Sequence, residues 1–187
     1  NYSDLEKIKL KRINFFTGYW QNYNYFKSVE CELKSCLSLD HNLKNLNSKT
    51  LKEISDSNSL CIHVRRTDYV GSLHEVVDVD YYKNAFKLLD TKVSNLKVFV
   101  FSDDINWSKK NLSFIPKVIF CNYSMINDFH LMTLCKFFII PNSSFSWWAA
   151  YLSDFKNKIV IIPDKWHKTN LKLMKDASPE NWIKLKL

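Results

Sequence analysis

The sequence contains very little glycine: only Gly18 and Gly71 occur among its 187 residues, where average usage would give roughly 13. A Walker loop or a dinucleotide-binding G-x-G-x-x-G turn needs two or three glycines close together, so both motifs are excluded. Any phosphate that this chain binds must therefore be held by side chains and by the N-termini of helices.

Disulfide and zinc patterns are also missing. The five cysteines are odd in number and form no C-x-x-C pair, and three of them (Cys61, Cys121 and Cys135) lie within apolar runs. This favours a reduced, cytoplasmic protein without a metal site. No apolar run approaches the ~20 residues that span a bilayer, and no signal peptide is visible. Because the chain begins at Asn1 within a polar stretch, we expect the beginning of a longer protein to be missing.

An excess of basic residues gives the chain a formal net charge of +8, and residues 156–187 alone contain eight lysines. Such a charge favours anionic partners, which include nucleic acid, anionic lipid and phosphorylated substrates. A lysine-rich surface that only contacts solvent would give the same net charge. The charge alone therefore does not distinguish among these partners or show that there is one.

Apolar runs alternate with helical patterns from residue 59 onward. Strands are predicted at residues 60–64, 98–101, 118–121, 137–140 and 159–162, with 181–185 closing the unit; helices are predicted at 80–93, 104–113, 124–136 and 144–154. Strands that are apolar at every position are buried on both faces, which is typical of a parallel sheet covered by helices. The alternation therefore predicts a doubly wound α/β domain over residues 59–187.

Residues 1–58 are more polar and rich in Asn and Lys. We interpret them as a linker and the remnant of a preceding domain, with helical patches near 23–37 and 47–56.

Polar clusters follow three of the predicted strands, and in a parallel sheet they would meet at one edge, where such folds bind ligands. The first is the sequence HVRRTD at residues 63–68. Adjacent arginines leaving a strand point to opposite sides, so one of Arg65 and Arg66 can grip a phosphate while the other pairs with Asp68 or covers the surface. The alternative for the arginines is a structural Arg–Asp ion pair. A single histidine within a strand, such as His63, is more often a hydrogen-bonded core residue than a ligand-binding one.

The second cluster is PNSSFSWWAA at residues 141–150, where a strand ends and a helix begins. Ser143 or Ser144 can cap this helix, and a helix N-terminus attracts anions through its free N–H groups and its dipole. An ordinary cap with tryptophans in the core is the alternative.

The third cluster, Ser102-Asp103-Asp104, offers paired carboxylates that could bind Mg²⁺ or carry out acid–base chemistry. Capping of the following helix is the favoured interpretation, since no third carboxylate completes a metal site. Asp128, on the helix that precedes the serine cluster, could accept two N–H bonds from a guanine edge.

These motifs together resemble the bacterial α-1,2-fucosyltransferases of glycosyltransferase family eleven. The resemblance extends over residues 14–187 and rests on residues 63–68, 81–82, 100–104 and 142–150, with support from 18–21 and 181–183. It implies a GT-B fold, of which this chain would hold the carboxyl-terminal Rossmann-like domain and part of the amino-terminal, acceptor-side domain. It also implies inverting transfer of L-fucose from GDP-β-L-fucose to a galactose hydroxyl, without a metal ion.

The resemblance also implies roles for individual residues and for partners. Arg65 is expected to act in catalysis, and the donor site is expected to comprise His63, Arg65, Asp103, Asp128, Ser143, Ser144, Phe145 and Ser146. The expected acceptor is a galactose-terminated glycan, including a lipid-linked one used in O-antigen synthesis at the cytoplasmic face of the inner membrane. No nucleic-acid partner is expected.

Two features depart from the family. Its glycine-rich Gly-Gly-x-Gly-Asn-Gln opening turn is absent, and Thr67 stands where the family usually has glycine. The glutamate base of the related α-1,6 enzymes has no obvious match in residues 69–79, where Glu75 and His74 are the nearest candidates. A GDP-binding fragment without activity and a basic nucleic-acid-binding domain remain as alternatives.

Overall fold

The computed structural model describes residues 9, 11–15, 17, 18, 20–37, 48–170 and 178–187, and a parallel sheet forms its centre. The strands are β1 (Asn58–Val64), β2 (Leu96–Ser102), β3 (Val118–Cys121), β4 (Phe137–Ile139), β5 (Ile159–Pro163) and β6 (Ile183–Leu185). Their spatial order is β3-β2-β1-β4-β5-β6, and every pair is parallel. The predicted α/β class with a parallel sheet is therefore confirmed.

Helices connect the strands and precede the first one. They are α1 (Glu30–Cys36), α2 (Ser48–Ser55), α3 (Val79–Asp90), α4 (Ile105–Asn111), α5 (Met125–Thr133) and α6 (Ser144–Leu152), preceded by the 3₁₀ turns Tyr23–Tyr25 and Lys27–Val29. None of the helices in these described ranges is both long and apolar enough to cross a membrane.

The order of the strands reverses between β1 and β4. From β1 the chain builds the sheet outward through β2 and β3, then returns to the other side of β1 and continues through β4, β5 and β6. In doubly wound sheets, the crevice at this reversal, beyond the carboxyl ends of the strands, is where ligands bind.

Each face of the sheet buries its own apolar cluster because successive side chains of a strand point to opposite faces. Leu60 and Ile62 of β1 pack in the cluster that α3 covers, whereas Cys61 packs with Trp147 of α6. Phe26 and Ile54 join this second cluster, so segments before residue 58 also pack on the sheet. The domain boundary at residue 58 stays a prediction.

All the strands and helices predicted from residue 59 onward are present, but apart from β3 their bounds differ from the predicted ones by one to three residues. Helix α3 ends at Asp90 rather than residue 93, because the N–H groups of Lys92 and Val93 both bond to the Leu89 carbonyl and turn the chain. The Val93 side chain still packs on the core, which mimics a continuing helix. Strand β5 includes Pro163, since a proline at a strand end removes only one ladder hydrogen bond.

Two buried tyrosines of α3 tie this helix to the carboxyl ends of three strands. The Tyr81 hydroxyl donates to the carbonyls of Ile140 (2.6 Å) and Ile161 (3.2 Å), and the Tyr82 hydroxyl donates to the carbonyl of His63 (3.2 Å). Burial raises the pKa of both phenols, so they remain hydrogen-bond donors. The strand ends that carry the polar clusters are thereby held in a fixed relation.

Candidate functional site

The three polar clusters meet at the carboxyl edge of the sheet, on both sides of β1. Val64 at the end of β1 lies opposite Ser102 of β2, and Ile62 lies opposite Ile139 of β4. Residues that follow these strands therefore leave the sheet at nearly the same level. The His63 and Phe145 rings, 5.7 Å apart between centroids, show that the first and second clusters touch.

Asp103 organises the turn that follows β1. Its carboxylate accepts the backbone N–H groups of Arg66 (2.9 Å) and Thr67 (3.0 Å), and also the Thr67 hydroxyl (2.6 Å). The Arg65 Nε lies 3.4 Å from the same carboxylate. Asp103 therefore supports the residue predicted to bind phosphate, and its own contact with a donor stays a prediction.

The two arginines take different environments. Arg65 pairs through Nε with Asp68 at 2.8 Å, and this hydrogen bond lowers the pKa of the Asp68 carboxyl. The Arg66 guanidinium instead lies 4.2 Å from the Trp107 ring centroid and 3.7 Å from Asp104. Asp68 therefore pairs with Arg65, which is the structural Arg–Asp ion pair given as the alternative, while Arg66 covers the Trp107 ring. Both Arg65 ion pairs are formed through Nε.

His63 is buried at the base of the site, with only 5% of its surface exposed. Burial lowers its pKa to about 4, so the imidazole is neutral at physiological pH. Its Nδ1 has no hydrogen-bond partner among the described residues. A buried polar atom without a partner is costly, and a ligand that supplied one would relieve that cost.

The N-terminus of α6 lacks the side-chain cap that α3, α4 and α5 have. Asp78, Asp104 and Ser124 accept N–H bonds at the starts of α3, α4 and α5. Ser143 occupies the corresponding position before α6 with an extended backbone, but its side chain makes no capping hydrogen bond. The Ser146 hydroxyl donates back to the Ser143 carbonyl at 3.3 Å. The first-turn N–H groups at Ser144, Phe145 and Ser146 suit an anion instead.

Asp104 caps α4 by accepting the N–H of Trp107 at 3.0 Å, which confirms the favoured interpretation of that carboxylate. The part of the chain that the structure describes contains no group of three or more His, Cys, Asp or Glu residues arranged to hold a metal.

Asp128 lies in the first turn of α5, just beyond the end of β3. Its carboxylate accepts the N–H of Tyr123 at 3.3 Å, and burial raises its pKa to about 6. The adjacent Phe129 ring lies 5.1 Å from the Phe145 ring, so α5 borders the same crevice. Recognition of guanine by Asp128 stays a prediction.

The loop after β1 carries both candidate bases. The Glu75 carboxylate accepts the N–H of Gly71 at 3.0 Å and lies 3.5 Å from the Lys168 ammonium. The Gly71 bond is the main cause of a lowered Glu75 pKa. Gly71 has a φ of +77°, the left-handed conformation that glycine adopts most easily. The imidazole of His74 is exposed and lies beside the rings of Tyr69 and His167.

Sequence reasoning missed how Asn142 joins three loops. Its side-chain amide, 1% exposed, donates to the carbonyls of His74 (2.9 Å) and Trp166 (2.8 Å). Its own backbone carbonyl accepts the Tyr69 hydroxyl at 3.1 Å. A backbone bond from Lys168 to Leu73 (2.9 Å) joins the same loops. The sequence shows only that an asparagine stands just before a predicted helix. Because nearby serines could cap that helix, the asparagine did not indicate a contact with distant loops.

The sequence of residues 1–186 matches the family described as Glycosyl transferase family 11. The chain belongs to this family. It is 36% identical over 182 residues to an alpha-1,2-colitosyltransferase of Escherichia coli, covering 91% of this chain and 62% of that protein. It is 30% identical over 193 residues to the O-antigen biosynthesis glycosyltransferase WbnK of Escherichia coli, covering 96% and 63%. The chain thus spans less than two thirds of the length of these relatives.

A solved structure of NodZ alpha-1,6-fucosyltransferase soaked with GDP-fucose is also similar, with a TM-score of 0.39 and 20% identity over 56% of this chain and 39% of that one. The family match over residues 1–186, and not this structural likeness, confirms at the level of the family the resemblance that the motifs indicated.

Proposed function

We propose that this family 11 protein is an inverting α-1,2-fucosyltransferase that moves L-fucose from GDP-β-L-fucose to a galactose hydroxyl of a surface glycan such as an O-antigen. The convergence of Arg65 with the uncapped N-terminus of α6 at the carboxyl edge of the sheet carries this proposal. These two features supply positive charge for a phosphate that, without glycine-rich loops, must be held by side chains and helix N-termini.

The proposed reaction places negative charge on the leaving diphosphate. The acceptor oxygen attacks the anomeric carbon while the bond to the β-phosphate breaks, and a base takes the proton of the acceptor hydroxyl. Arg65 and the N–H groups at the start of α6 stabilise the growing charge on the β-phosphate. The neutral His63 lies below them and Asp128 faces the guanine base.

Donor choice has a second candidate, favoured by the 36% identity to a colitosyltransferase. A transfer assay should offer the GDP-activated forms of fucose and colitose to the full-length protein with a β-galactoside acceptor. We expect an α-linked product, seen by the anomeric proton coupling in NMR. Retention of the β configuration would contradict the mechanism.

The two alternative functions predict different results. Binding of GDP without transfer would indicate a non-catalytic protein. Salt-dependent binding of oligonucleotides without GDP binding would favour the nucleic-acid alternative.

The proposal also assigns the two parts of the chain to the two domains of the enzyme and the protein to a cellular location. Residues 59–187 form the donor-binding half of a GT-B enzyme, and the preceding residues belong to its acceptor side. The protein works in the cytoplasm, peripherally at the inner membrane, where lipid-linked glycans are extended. Its five free cysteines and its net charge of +8 are compatible with this.

Transfer is expected to persist in excess EDTA. Arg65 and α6 supply the positive charge at the diphosphate, and both carboxylates of the Asp103-Asp104 pair already hold protein groups. The measurement is the initial rate with and without chelator, after dialysis. Loss of activity that Mg²⁺ or Mn²⁺ restores would contradict this expectation.

A further inference from the structure

His74 lies on the rim of the proposed donor site with its imidazole between two other rings. The Tyr69 ring lies 5.4 Å away on one side, and the His167 ring approaches edge-on at 5.0 Å. Tyr69 also lies 5.9 Å from the Arg65 guanidinium, so a single side chain separates His74 from the group proposed to bind phosphate. The imidazole itself is exposed and can meet an acceptor.

Asn142 fixes the backbone of His74 against the start of α6. Its Nδ2 bridges the carbonyls of His74 and Trp166, and it stands two residues before the first residue of the helix. Asn142 is buried, and its bond to the Trp166 carbonyl is buried with it, so this side chain is fixed in place. The Tyr69 hydroxyl bonds to the Asn142 carbonyl, so the ring beside His74 is fixed by the same residue.

One of the rings beside His74 is itself fixed by hydrogen bonds. The Nδ1 of His167 accepts the backbone N–H groups of Asn170 (3.1 Å) and Thr169 (3.3 Å). The Asp68 carboxylate is close enough to His74 for the two side chains to interact electrostatically.

Glu75, the other candidate, already serves the loop. Its carboxylate closes the turn through the Gly71 N–H and pairs with Lys168, and both contacts favour the ionised form and weaken it as a base. Removing a proton from a sugar hydroxyl would compete with these contacts.

We propose that His74 is the general base of the reaction and that Asn142 is its positioning residue; this rests on the proposed function. The acceptor O–H bond breaks and its proton passes to an imidazole nitrogen of His74. The oxygen forms the new bond to the anomeric carbon, and the electron pair of the broken C–O bond leaves with the β-phosphate of GDP. No other reactant is required.

The test uses the full-length protein with donor and acceptor. His74→Ala is expected to lower kcat by about a hundredfold or more, the usual contribution of a general base, with GDP affinity unchanged by calorimetry. Added imidazole should restore part of the rate, which a structural defect would not allow. Glu75→Gln, whose side-chain oxygen can still accept the Gly71 N–H, is the competing variant and should lower kcat by less than about tenfold.

The role of Asn142 is tested by combining variants. Asn142→Ala should lower kcat, and adding it to His74→Ala should cause no further loss, because a positioning residue acts only through the base. If Asn142→Ala fails to fold, Tyr69→Phe removes one bond of the same assembly and should show the same lack of additivity. A His74→Ala enzyme with normal kcat, or a larger loss in Glu75→Gln, would overturn the assignment. A wild-type protein that transfers no sugar would overturn the proposed function instead.

Discussion

Replacing Arg65 with alanine is expected to weaken GDP binding by about ten- to a hundredfold and to leave the fold intact. Losing a charged partner in a desolvated site costs about 1.5–3 kcal/mol, which corresponds to that loss of affinity. The Arg65 side chain is 37% exposed and its ion-pair partners lie in the same loop or at the adjacent strand end, so the core does not depend on it. Calorimetric titration of GDP and thermal unfolding measure the two effects separately.

Arg66→Ala is the matched control for Arg65→Ala. It removes the same charge one residue away, but its guanidinium lies on Trp107 and near Asp104, away from the proposed phosphate position. We expect GDP affinity to change by no more than about fivefold, the effect of a surface charge. Equal losses in the two variants would mean that the effect is one of net charge. Normal GDP binding by Arg65→Ala would show that the site is assigned wrongly.

The strands could be predicted because each is apolar at consecutive positions and ends at a polar or proline-containing turn. Convergence of the clusters then followed from parallel pairing, since the carboxyl ends of β1, β2 and β4 must share an edge. The end of α3 was missed because Val93 packs on the core from a turn, which periodicity alone does not distinguish from a helix.

The different structural roles of the individual site residues could not be predicted from the sequence. Asp103 and Asp104 are identical and adjacent, yet one holds the turn after β1 and the other caps α4. The bonds of Asn142 run from a side chain to backbone carbonyls 68 and 24 residues away along the chain. Every residue offers a backbone carbonyl, so no pattern of residue types indicates which one is used.

Asp128→Asn is expected to reduce the preference for GDP over ADP more than it lowers affinity for the diphosphate. An ionised carboxylate can accept both the N1–H and the exocyclic amine of guanine, whereas adenine has no N1–H. The variant amide would turn one acceptor into a donor, at a cost of about tenfold in GDP affinity. Titrations of GDP, ADP and GMP into both proteins measure the change. An unchanged preference, or a wild-type protein that does not prefer GDP, would contradict the assignment.

The pH dependence of GDP affinity is a second, independent test of the role of Asp128. Since burial raises its pKa to about 6, the carboxylate is ionised above that pH and protonated below it. GDP affinity of the wild type should therefore fall below pH 6 by up to about tenfold for each pH unit. The diphosphate of ADP titrates in the same way, so ADP affinity corrects for the ligand. The ratio of the two affinities should depend on pH in the wild type and be flat in Asp128→Asn.

The same substitution should make the protein more stable at neutral pH. The native state holds the Asp128 proton more tightly than the unfolded chain, whose carboxyl has a pKa near 3.8, so the free energy of unfolding falls as pH rises from about 4 to 6. The penalty is fully present above pH 6, and a neutral amide that still accepts the Tyr123 N–H avoids it. Because Asp128 is only partly buried, we expect a gain of about 1 kcal/mol in denaturant unfolding at pH 7. A loss of stability at pH 7 would show that the carboxylate holds α5 in place. This structural role would then explain the buried acid without guanine recognition.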